Sequence, residues 1–250
     1  MLAGVSEAAT PTRPVNRRDV VSYVRRGSRM NPSQERAWTR LHERYVIEVP
    51  CGERSTSIAA DATIDWADAF GRTAPLLVEI GCGTGEALAA LAARHPDANV
   101  VGFEVFAPGV ASTLSRLGRA GVDNVRIVVA DGVQALQTLV RPQSITELWT
   151  FFPDPWHKKR HHKRRLVNAD TARLVASRLV PGGRWRLATD WADYAQWMRE
   201  VLDAEPGLRN ESDGWARRPD ERPVTKFEQR GIDAGRRIWE LSYLVPEDAQ

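Results

Sequence analysis

At 250 residues, 42% hydrophobic and 27% charged, the chain has ordinary globular composition and enough length to bury a sizeable core in one domain. A net charge of +3 does not by itself demand a polyanionic partner, so any such argument rests on local clustering. Two cysteines, Cys51 and Cys82, exclude a disulfide scaffold and suit a reducing compartment. With no apolar signal core near the start and no membrane-length apolar run, the reading is a cytoplasmic protein without a membrane partner.

Residues 1–18 are small, polar and proline-bearing, the composition of a mobile tail, and the remainder, 19–250, is expected to form one domain. Asn31-Pro32-Ser33-Gln34 predicts a helix start, because Asn caps, Pro fits the first turn and Gln34 completes a capping box. The helix would run through Trp38, Leu41 and Tyr45, within a helical extension over about 19–70. From residue 75, short apolar runs at 76–80, 100–104, 125–130, 147–152 and 184–190 alternate with helical patterns. That alternation predicts an α/β fold with a doubly wound, mostly parallel sheet covered by helices on both faces. One of these helices is read through Leu174, Val175 and Leu179, with Pro181-Gly182-Gly183 stopping it, and residues 237–244 read as a final strand.

Glu79-Ile80-Gly81-Cys82-Gly83-Thr84-Gly85 follows the first strand and opens a helix, so Gly81, Gly83 and Gly85 permit a tight turn and close approach of a ligand to backbone. Glu104 ends the second strand at the spacing of a dinucleotide-binding acid, which keeps a nicotinamide-dependent dehydrogenase among the readings. Glu79 argues against it, since a carboxylate there repels a pyrophosphate and attracts an ammonium. Asp131 ends the third strand and would accept from an adenine amine. Carboxylates at three successive strand ends suit S-adenosylmethionine, which carries an ammonium, a ribose diol, an adenine amine and no phosphate.

The segment FFPDPWHKKRHHKRR, residues 151–165, places Asp154 between two prolines at the end of the fourth strand, beside the glycine loop. The prolines restrict the carboxylate to a small volume, which suits an in-line displacement needing positioning more than acid-base work. Six Lys and Arg between residues 158 and 165 would contact phosphates. Trp156 would stack on a base or close the core edge. His157, His161 and His162 lack metal-ligand spacing, so no metal is expected and they read as RNA-facing.

Together with Gly102-Phe103-Glu104-Val105, Thr189-Asp190 and Arg222-Pro223-x-Thr225-Lys226-Phe227-Glu228-x-Arg230-Gly231, this segment resembles the bacterial tRNA (guanine-N7)-methyltransferases over about residues 20–245. The resemblance implies a seven-stranded, Rossmann-like class I methyltransferase fold, with S-adenosylmethionine as cofactor and tRNA as partner. The target would be guanine 46 of the variable loop. It further implies that Glu79, Gly81, Gly83, Gly85, Glu104, Asp131 and Asp154 form the donor and catalytic site. Lys158, Asp190, Thr225, Lys226, Phe227 and Glu228 would bind the target nucleotide, while Arg160, His161, His162, Lys163, Arg164 and Arg165 would hold RNA. Guanine N7 carries a free lone pair, so Asp154 makes better physical sense as an anchor for a ring becoming cationic than as a base; Asp190 or Glu228 would serve equally. Methylation of an exocyclic base amine, and an RNA-binding scaffold without catalysis, are the alternatives. No helix face is surplus to the core, so the sequence leaves monomer and homodimer open.

Overall fold

The computed structural model describes residues 29–53 and 56–247. The expected tail over 1–18 lies outside them. In chain order the elements are α1 (Pro32–Tyr45), α2 (Trp66–Phe70), β1 (Leu76–Ile80), α3 (Glu86–Arg94), β2 (Asn99–Phe103), α4 (Ala107–Ala120), β3 (Val125–Val128), α5 (Gly132–Leu139) and β4 (Ile145–Phe151). A 3-10 helix (Lys159–Arg164) follows, then α6 (Ala169–Arg178), β5 (Leu179–Thr189), α7 (Ala192–Asp203), β6 (Arg209–Asn210), α8 (Lys226–Asp233) and β7 (Trp239–Leu244).

Seven strands form one sheet in the order β3-β2-β1-β4-β5-β7-β6, parallel except that β7 runs antiparallel to both neighbours. Alternate strand residues feed two separate cores. Leu76, Val78, Val101 and Leu148 pack with the residues of α5, α6 and α7, whereas Leu77, Val100, Ile127 and Trp149 pack with those of α1, α3 and α4. Each fully buried Leu, Val or Phe contributes roughly 1.5–3 kcal/mol relative to exposure. Because both faces are covered, β1 and β2 are buried along their whole length, which is why they read as near-continuous apolar runs, interrupted only by Glu79 and Asn99.

The capping box at the start of α1 forms as expected: Asn31 Oδ1 accepts from the N–H of Ser33 and Gln34, and Gln34 Oε1 accepts from the Asn31 N–H. This helix belongs to the α4 side of the core, through Leu41 and Tyr45, and Gln34 Nε2 donates to Pro108 O at 2.9 Å. Beyond it the chain meets the sheet again, where the Ile47 N–H donates to Ile127 O at 2.9 Å.

The expected helix through Leu179 ends one residue earlier, and Pro181-Gly182-Gly183 lies inside β5 instead of before it. Leu179 already pairs with Ile145, and residues 180–183 loop out before Arg184 resumes pairing at Glu147. Gly182, at φ +75°, supplies the left-handed turn that the loop needs. Its N–H donates to Val245 O at 2.9 Å, so the bulge is pinned to the end of β7.

Candidate active site

The carboxyl ends of β1, β2, β3 and β4 converge on a pocket of about 240 Å³. Gly81, Gly83 and Gly85 all take positive φ, at +77°, +57° and +72°, so the loop after β1 turns sharply enough to present bare backbone to the pocket. Gly85 has a second reason, because a Cβ there would stand 2.4 Å from the Thr113 side chain.

Three carboxylates reach the pocket from the ends of successive strands and the turns after them, each with different hydrogen-bond partners. Glu79 is 3% exposed, and its Oε2 has no hydrogen-bond partner among the described residues. Burial pushes its carboxyl up to about 8, the Glu104 charge adds to the rise, and Arg222 opposes it. Glu104 binds the glycine loop and its own turn: Oε2 accepts from the Gly83 N–H, and Oε1 from the N–H groups of Val105 and Phe106, all at 2.8 Å. Asp131 caps α5, with Oδ1 accepting from the N–H groups of Val133 and Gln134 at 3.0 and 3.2 Å.

The fourth wall comes from Phe151, Phe152, Pro153 and Asp154. Phe152 and Trp156 both lie in the left-handed region, at φ +52° and +48°, a conformation that costs about 1–3 kcal/mol for such residues and persists only where surroundings enforce it. At Phe152 the enforcing contact is its N–H donating to Ala188 O at 2.8 Å. At Trp156 it is the Arg164 guanidinium, 3.7 Å from the ring centroid, with His161 edge-on at 5.9 Å. Asp154 is thus held between two strained aromatic residues in the pocket wall that follows β4, the strand next to β1.

Thr225 and Phe227, from the start of α8, close the pocket mouth. Thr225 caps that helix, its Oγ1 accepting from the Glu228 N–H at 3.2 Å, while Phe227 is 48% exposed. The joint between this roof and the glycine loop is Glu86, a residue the sequence pattern did not single out. Its Oε2 accepts from the Lys226 N–H at 2.6 Å, and its Oε1 pairs with Arg116 at 3.1 Å.

The remaining expected site residues are dispersed. Lys158 is exposed ahead of the 3-10 helix, and Asp190 accepts from Arg236 Nε at 2.7 Å while abutting Gly231 of α8. Neither they, Lys226 nor Glu228 lines the pocket. Glu228 is 1% exposed and bound by Arg222 and Arg218; burial raises its carboxyl, but the two guanidiniums outweigh that and hold it below the usual range. Within the basic run, Lys158, Lys159, Arg160 and Lys163 are exposed. Desolvation and the surrounding cations hold His161 below the usual histidine value. His162 and Arg165 turn inward. Arg165 is 1% exposed, paired with Asp193, bonded to Pro155 O at 3.1 Å and packed on the rings of Tyr194 and Trp197, so its place is structural support for the loop.

A glycine loop after β1, acidic strand ends and an antiparallel β7 beside β5 define the S-adenosylmethionine-dependent methyltransferase fold of class I. The 16S rRNA (adenine(1408)-N(1))-methyltransferase of Catenulisporales acidiphilia, solved with S-adenosylmethionine, shares that fold: TM-score 0.53, 17% identity, 81% of this chain and 98% of that one. A family model described as "Putative methyltransferase" matches residues 73–241. Sequence relatives are closer. The tRNA (guanine-N(7)-)-methyltransferase of Cutibacterium acnes is 56% identical over 91% of this chain and 83% of its own. Those of Nocardioides sp. and Paraburkholderia xenovorans are 54% and 42% identical over 90% and 95% of this chain, and 87% of their own length in both cases. The chain belongs to the tRNA (guanine-N(7)-)-methyltransferase family.

Proposed function

We propose that this chain transfers a methyl group from S-adenosylmethionine to N7 of a guanine in tRNA. The observation that carries the reading is the pocket itself: a buried Glu79 whose Oε2 has no hydrogen-bond partner among the described residues lines it together with bare glycine backbone and Asp154, and exposed cations follow in the chain.

The donor set fits the methyl donor. Glu79 Oε2 lacks a hydrogen-bond partner among the described residues, so an incoming ammonium would satisfy it and stabilise its charged form. The ordered glycine turn lets the donor's backbone-facing atoms approach closely, and Asp131 at the end of β3 would accept from the adenine amine. Bound there, the donor supplies an electrophilic methyl group.

What the protein adds is position and charge. Guanine N7 needs no deprotonation before it attacks, so the chain holds the ring in line and stabilises the positive charge that develops on it. Asp154 would accept from the guanine N1–H and exocyclic amine, leaving N7 facing the pocket. Phe151 and Phe152 wall the pocket with apolar surface, and Phe227 covers its mouth. Lys158, Lys159, Arg160 and Lys163 would contact phosphates near the target, and guanine 46 in the variable loop is the expected acceptor. The guanine reaches the pocket by leaving its stack, which costs a few kcal/mol that backbone contacts must offset.

The test is incubation with unmodified tRNA and isotope-labelled S-adenosylmethionine, then digestion and mass spectrometry. Label in 7-methylguanosine is the expected result; label in a base methylated on an exocyclic amine, or in none, overturns the reading.

A further inference from the structure

Arg222 lies outside the pocket lining, yet it touches the elements that build two of its walls. Its side chain is 1% exposed. Nη1 and Nη2 donate to the two Glu228 oxygens at 2.7 and 3.0 Å, Nη2 also binds Glu240, and Nε has no partner among the described residues. The guanidinium carbon stands 5.3 and 5.6 Å from the ring centroids of Phe151 and Phe152.

The sheet register explains why those partners meet. Phe151 of β4 pairs with Ala188 of β5, which pairs with Glu240 of β7, so one row crosses three strands at their pocket end. Arg222 bonds to the last residue of that row and packs against the ring of the first. From the same row the chain passes through strained Phe152 to Asp154, while Glu228 fixes the first turn of α8, whose cap Thr225 and neighbour Phe227 form the roof.

From this geometry we infer that Arg222 is a positioning residue for methyl transfer, holding the Asp154 loop and the α8 roof at a fixed separation across the pocket. The inference rests on the proposed reaction only for its kinetic readout. A buried ion network is weak support for stability, because a charge-balanced apolar replacement often leaves stability unchanged or raised, whereas the fork geometry of arginine specifies register. Two carboxylates and two aromatic rings fixed by one planar group are what such a specification requires.

The experiment uses the full chain with two variants. Arg222→Lys keeps the charge and loses the fork. Arg222→Met with Glu240→Gln removes one charge of each sign, leaving Glu228 paired with Arg218 at 3.0 Å, so it stays folded if the lysine variant does not. Expected in the folded variant is a kcat at saturating donor and tRNA, normalised to binding sites, lower by at least tenfold. Hydrogen exchange should quicken at the Phe152 and Glu228 amides. A kcat per site within twofold of wild type, with unchanged exchange at both amides, overturns the inference. If wild type itself transfers no methyl to tRNA, the reaction reading fails, and the exchange rates alone decide the positioning claim.

Discussion

Glu79→Gln isolates the one carboxylate, among the described residues, that is buried with an oxygen lacking a hydrogen-bond partner. A carboxyl pushed up to about 8 is mostly protonated at neutral pH. Ionising it costs about 1.4 kcal/mol at pH 7 and about 2.7 kcal/mol at pH 6, at about 1.36 kcal/mol per pH unit. A ligand ammonium that pairs with the carboxylate therefore expels close to one proton per site. Its affinity rises roughly tenfold from pH 6 to pH 7, below the ~8 at which an α-amino group loses its own proton. The glutamine variant loses a charge-assisted bond worth about 1.5–3 kcal/mol but also escapes the ionisation cost. It should thus bind about as well as wild type at pH 6 and roughly tenfold or more weakly at pH 8. Calorimetric titration with S-adenosylhomocysteine, which carries the ammonium and no transferable methyl, in two buffers of different ionisation enthalpy reads both quantities. Equal pH slopes in the two proteins, with no proton released by wild type, would refute the reasoning.

In ligand-free protein the same raised carboxyl takes up a proton on folding, so its contribution is complete below about 4.5 and lost as pH rises through about 8. Melting temperature should fall more steeply between pH 5 and 8.5 in wild type than in Glu79→Gln, as scanning calorimetry would show. Asp154→Asn should lower kcat by about 10²–10³ while leaving S-adenosylhomocysteine affinity within twofold, measured by single-turnover methylation and titration. Arg160→Ala with Lys163→Ala should weaken tRNA binding and reduce its salt slope by about one per lost phosphate contact, whereas Arg165→Ala should leave that slope unchanged and lower thermal stability. Gly85→Ala combines a φ of +72° with a Cβ 2.4 Å from Thr113, and should cost at least about 1–3 kcal/mol in urea unfolding.

The strands buried on both faces were legible because nearly all their residues had to be apolar, Glu79 and Asn99 being the exceptions in β1 and β2, and the capping box before α1 because local hydrogen bonds decide it. The two-residue β6 carries no pattern of its own, since only its pairing to Tyr243 and Leu244 defines it. Pro181-Gly182-Gly183 read as a helix stop by local chemistry, while tertiary pairing at Ile145 and Val245 made it a bulge within a strand. Within the site, the glycine loop and the strand-end acids announced themselves by spacing. The basic run did not separate its outward cations from Arg165, because identical charges in sequence diverge only when Asp193, Tyr194 and Trp197 arrive from α7. Glu86 acts through Lys226, 140 residues away in the chain, so its placement had no local signature, and the motif that holds Arg222 and Glu228 did not show that the two bind each other and Glu240 instead of lining the pocket.

The segment from α1 to Ile47 also acts as a guard on the sheet. β3 is a border strand, and its outer rim would expose unpaired peptide groups, a template for sticking to other chains. The backbone at Val46 and Ile47 occupies that rim opposite Ile127, while α1 shields Leu114 and Leu117 above it. On the opposite border, β6 is only two residues long and offers little to copy. A chain cut to begin at residue 73, where the matched family region starts, would keep every strand and most of the pocket yet bare one border and half a core. Such a fragment should aggregate during expression, and its insolubility would reflect a lost edge guard with the chemistry untouched.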